Sequence, residues 1–134
     1  MTEKEIKISG NSGQIEIATI RFDQKEKQLT EVTLELQNEK QLSATGTDVF
    51  MALRALRETT EKQGITLLIN GCRPECWPSG MSAQMSNGLK IYQRSLNNMK
   101  GWKPVNTLDY APIDHIGTLN AQNDFNNKLR EKLK

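Results

Sequence analysis

The chain has 134 residues, 36% of them hydrophobic and 25% charged, which suits one soluble domain able to bury a core without disulfide or metal staples. No apolar run approaches the roughly 18 to 20 residues of a membrane span, and the first residues show neither the apolar core nor the small-residue cleavage site of a secretory signal, so the expected compartment is the cytoplasm. A net charge of only +2 argues against a large footprint on nucleic acid, although residues 1–64 hold nine Lys/Arg against eleven Asp/Glu and residues 65–134 hold nine against five.

In chain order, Ile6 and Ile8 alternate with charged neighbours, Gly10 to Gly13 make a turn, and Ile15 and Ile17 resume the period of two, which predicts a hairpin. Beyond Ala18 the apolar positions shift to Ile20 and Phe22, as a β-bulge there would require if one face is to stay buried. Val32, Leu34 and Leu36 alternate with Glu31, Thr33 and Glu35 in a third strand, and the turn Asn38-Glu39-Lys40 leads to a short fourth strand over 41–44, completing an antiparallel meander with one polar face. Thr47 is the expected N-cap of a helix running to about Gln63, with Asp48 at its positive end and Gly64 as its stop. Val49, Ala52, Leu53, Leu56 and Thr60 form its stripe, and Arg54 with Glu58 and Arg57 with Glu61 read as exposed pairs four residues apart.

Ile65 to Ile69 reads as a strand covered on both faces. A short helix over 80–85 capped by Ser79 puts Met81 and Met85 on one face and ends at Gly88. Leu89 to Tyr92 predicts a strand, 105–110 a weaker one ended by Pro112, and from Asn120 an amphipathic helix carries Ala121, Phe125, Leu129 and Leu133 on one face. The expectation is a single α+β domain spanning residues 1–134: a meander, one long capped helix, further strands around a Gly/Pro-rich loop, and a C-terminal amphipathic helix.

The stretch from Asn70 to Gly88 concentrates three glycines, Pro74, Pro78, Trp77 and both cysteines, the composition of a loop that turns repeatedly and presents side chains from a scaffold. Cys72 and Cys76 are four apart, neither a redox dithiol nor a zinc knuckle. With His115 the lone histidine, no metal site is expected, and ordinary thiols are the simplest reading. Thiol catalysis would need His115, beside Asp114, to activate one of the cysteines. Ser79 lacks the strand-turn-helix elbow of a serine hydrolase, Asp109 and Asp114 stand apart, and no glycine motif cradles phosphate, so no catalytic residue and no cofactor is expected. Arg73, Trp77, Lys90, Tyr92, Arg94, Lys100, Trp102 and Lys103 interleave basic and aromatic residues in a loose nucleic-acid pattern. Protein binding fits the loop better. Arg73, Glu75, Trp77, Met81 and Met85 combine hot-spot chemistry with adaptable side chains, unless Trp77 simply fills the loop's own centre. Glu16, Glu31 and Glu35, on the polar face of the meander, are the acidic candidates.

Asn70-Gly71 at a strand end, Pro78-Ser79-Gly80-Met81, Met85, Gly88 and Tyr92, with an echo at Gly117-Thr118 and Gln122, resemble a group of small, mostly uncharacterised bacterial α/β proteins. Some of these are encoded beside polymorphic toxins as immunity proteins of the contact-dependent growth inhibition type. The resemblance covers about half of the chain, from Ile65 onward. It implies a cytoplasmic binder that neutralises one cognate toxin by covering its active site or a surface it needs. A small Cys/His enzyme and a weakly basic nucleic-acid-binding domain are the alternatives.

Overall fold

The computed structural model describes residues 2–98 and 101–133, apart from the side chain of Ser82. In chain order it contains β1 (Thr2–Ser9), β2 (Ile15–Glu26), β3 (Leu29–Glu35), β4 (Gln41–Gly46), α1 (Val49–Lys62), β5 (Thr66–Leu67), β6 (Cys76–Trp77), α2 (Gly80–Met85), β7 (Lys90–Gln93), β8 (Lys103–Asn106) and α3 (Leu119–Lys132). A five-stranded antiparallel sheet has the order β4-β3-β2-β1-β5, and a three-stranded one has the order β6-β7-β8. The fold is α+β. Among the described residues no helix is long and apolar enough to cross a membrane.

The meander forms, but its first hairpin differs from the expectation. Ile6 pairs with Ala18 and Ile8 with Glu16 without interruption, so even-numbered positions of both strands share the inner face. Ile15 and Ile17 therefore point outward and are 55% and 40% exposed. No bulge follows Ala18. The shift in register lies between Gln24 and Glu26, at the polar tip, where changing parity buries nothing.

Inner-face residues Ile6, Ile8, Ala18, Ile20, Val32 and Leu34 pack against Val49, Ala52, Leu53 and Leu56 of α1, which confirms the expected stripe. Asp48, not Thr47, is the N-cap, its Oδ1 accepting the Met51 N–H at 2.8 Å. Gly64 ends the helix with φ of +73°, a conformation glycine adopts at little cost. The helix is covered on a second side as well. Phe50 packs with Cys76 and Ile91 of the small sheet in a separate cluster that Trp77 and Val105 complete.

Leu67, Leu68 and Ile69 are at most 1% exposed, as expected of a run covered on both faces. Only Thr66–Leu67 pairs as a strand, and Ile69 makes an isolated bridge to Tyr110. The weaker strand falls earlier than expected, at Lys103–Asn106, with Pro104 on the sheet edge, where a missing N–H costs no ladder bond. In α3, Thr118 caps the helix through the Ala121 N–H. Leu129 is buried, whereas Leu133, beyond the helix end, is 65% exposed.

Candidate functional site

The loop between β5 and β7 is held open by its backbone and filled by one side chain. Asn70 and Gly71 donate their N–H groups to the carbonyls of Asp109 and Thr107, each at 2.9 Å, and the Gly117 N–H reaches Cys72 O at 3.1 Å. From α3, fully buried Gln122 points its amide into the turn, where Nε2 donates to the carbonyls of Gly71, Arg73 and Cys76 at 3.1 to 3.2 Å. The Arg73 carbonyl also accepts the Cys76 N–H at 3.1 Å, and a buried carbonyl left without any donor costs about 1–3 kcal/mol. The opposite end of the same amide, Oε1, accepts from Arg54 Nη1 and, at 3.0 Å, from Arg57 Nη1.

This overturns the reading of the helix charges as exposed pairs. Arg57 is 3% exposed, donates Nη2 to Gly117 O at 2.8 Å, and lies 3.5 Å from Glu61. A buried guanidinium needs its donors occupied, and here a neutral amide and a carbonyl do most of that. Arg54 turns from Glu58 to Gln122 and to Asn123, 2.6 Å away. Burial, with the nearby Arg57 charge second, lowers its pKa.

Two glycines fix how closely the parts approach. Gly88 has φ of +78°, and a Cβ there would come within 2.8 Å of the Asp48 side chain and the Phe50 nitrogen. At Gly117 a Cβ would strike Pro74, so the turn before α3 seats directly on the loop proline.

The loop candidates divide by surroundings. Arg73 and Glu75 bind each other at 2.8 Å, with Gln93 Nε2 donating to the same carboxylate. Trp77, half-buried, meets Phe50 edge-on at 5.0 Å, with the guanidinium of Arg54 4.9 Å and that of Arg94 5.9 Å from its ring. It anchors the loop from inside while presenting part of its ring. Met81 and Met85, on α2, are 71% and 81% exposed. Lys100 lies outside the described residues.

The acidic candidates do not form one face. Glu16 pairs with Ile8 and so follows inner-face parity at the sheet end, whereas Glu31 and Glu35 point outward. Glu35 accepts from Arg21 at 2.6 Å and from Gln41 at 3.0 Å, which hold its carboxyl below the usual range. Lys25 stands 3.8 Å from Glu31. The outward face and the loop are separated by the sheet and α1.

Both cysteines are free and buried. Burial pushes the Cys72 thiol up and the Cys76 thiol up to about 12, the reverse of what a nucleophilic thiolate requires. Cys72 lines a cavity of about 250 Å³ together with Ile113, Ile116 and Thr118 among others. His115, between those isoleucines, is exposed on a short 3₁₀ turn.

Sequence reasoning missed β6 and the role of Gln122. The signal for Gln122 was present: residues 122, 125 and 129 share the i, i+3, i+7 spacing of the buried stripe, so a glutamine in that row called for buried partners. The chain matches no protein-family model and no curated protein sequence.

Proposed function

We propose that the protein is a non-catalytic binding domain whose partner is another protein, and that it acts in the cytoplasm as an immunity protein neutralising a cognate toxin. The observation that carries this reading is the exposure of Met81 and Met85 on a helix set into a loop that is otherwise hydrogen-bonded inward. Adaptable apolar side chains on a preorganised support are the composition of an interface core, because less ordering entropy is lost when the partner arrives. The inert thiols and the mutual engagement of Arg73 with Glu75 fit binding better than turnover.

The test is capture of a partner by the tagged chain, joined to growth rescue against the product of the neighbouring gene. A one-to-one complex that restores growth supports the reading. The double variant Met81→Ser/Met85→Ser should then weaken binding by more than about 1 kcal/mol while the unfolding midpoint stays unchanged, since both residues are exposed. Unaltered affinity in the double variant removes α2 from the interface.

A further inference from the structure

The cavity of about 250 Å³ that Cys72 lines lies between the C-terminal half of α1 and the turn before α3, and its lining does not include the exposed methionines. Arg57, Thr60 and Glu61 line it from α1, and Ile65, Ile113 and Ile116 line it with aliphatic carbon. Ile65 and Ile116 are half-buried, whereas Ile113 is 49% exposed, an aliphatic side chain at the rim.

The charges of this lining already answer one another. Arg57 donates to Gln122 Oε1 at 3.0 Å and to Gly117 O at 2.8 Å, with Glu61 3.5 Å away. Glu61 in turn accepts the Leu119 N–H at 2.9 Å. Thr60 is different: the residue is 1% exposed, and its Oγ1 is buried without a partner among the described residues. A helical threonine can return its hydroxyl to a carbonyl of the preceding turn, and a buried hydroxyl left alone is destabilising.

An unanswered hydroxyl beside three isoleucines, in a lining whose charges are paired, suits a molecule with one neutral polar head and an aliphatic body. We infer that the cavity binds a small neutral aliphatic ligand, a short-chain alcohol or primary amide, whose head pairs with Thr60 Oγ1 and whose chain lies against Ile65, Ile113 and Ile116. A charged ligand would meet a like charge in either Arg57 or Glu61 and find no free counter-charge. One water, whose share of liquid volume is about 30 Å³, would answer the hydroxyl but leave most of the cavity and its aliphatic side unfilled.

The experiment titrates the full chain with n-butanol and with butyramide, using butyrate and butylammonium as charged controls of equal chain length, and reads isoleucine methyl shifts by NMR. Expected are saturable shifts at Ile65, Ile113 and Ile116, with only a linear drift at the outward-facing, exposed Ile15 and Ile17, and charged controls that bind at least roughly 10-fold more weakly. Saturation by one neutral probe and not the other identifies the head group. Thr60→Val keeps the side-chain shape and removes the unpartnered hydroxyl, so it should be at least as stable as the parent, while affinity for the neutral probe falls roughly 3- to 10-fold, the loss of one neutral hydrogen bond. Ile113→Ala, at the exposed rim, should weaken binding by about 3-fold through lost apolar contact. A cavity that holds water only, seen as shifts no larger at the three lining isoleucines than at Ile15 and Ile17, would overturn the assignment. So would a charged control that binds as tightly as the neutral probes, or unchanged affinity in Thr60→Val.

Discussion

The two halves of the interior are held by different physics. Between the five-stranded sheet and α1, aliphatic side chains from five strands and the helix meet in one continuous cluster, and its stability follows the area removed from water. Between α1, the loop and α3, the cohesion is polar: a glutamine and two arginines hydrogen-bond to one another and to a row of backbone carbonyls. An apolar core tolerates exchange of shapes, whereas a polar network fails as a unit when one member leaves. The candidate binding surfaces lie on the side built the second way, where positions are specified by direction as well as by volume.

The sharpest way to break this comparison is Gln122→Leu. It leaves Arg57 without its amide acceptor and removes the Gln122 donor from the carbonyls of Gly71 and Cys76, and should cost about 3–5 kcal/mol in urea unfolding. Amide exchange over 70–77 should accelerate more than exchange in β1 to β3. Equal acceleration throughout would mean that the two halves do not open separately. Leu34→Ala, on the apolar side, should cost about 3 kcal/mol through lost transfer energy and the cavity left behind, with protection falling across the whole sheet.

A smaller effect comes from Asp48, whose pKa burial raises above the usual carboxylate value. A raised folded-state pKa means that this group favours the folded state at low pH and loses that contribution as pH rises through it. Asp48→Asn keeps the cap acceptor and removes the titration. The variant should therefore gain stability relative to the parent between pH 3.5 and pH 7, by about 1 kcal/mol or less, measured by denaturation at both values. A difference that does not change with pH would show that Asp48 titrates alike in both states.

How much was legible in the sequence follows the same division. The α1 stripe, the Gly64 stop, the meander and the short methionine helix are encoded locally, by period and by punctuating residues, and the structure bears them out. Ile15 and Ile17 were misassigned because alternation does not say which of two parities faces inward; pairing with Ile6 and Ile8 decides it. Arg57 read as a surface charge because its partners, Gln122 and Gly117, lie 65 and 60 residues away. Trp77 sits between the two possibilities raised for it, partly interior and partly on display.

The reach of Gln122 back to Gly71 spans 51 residues, and this orders events during synthesis. Chains emerge from the N-terminus at about 5–20 residues per second, so the sheet and α1 are complete while the segment that closes the loop is still to be made. The loop around Met81 and Met85 is therefore closed last, and a nascent chain halted before α3 should carry a formed sheet with the loop still open.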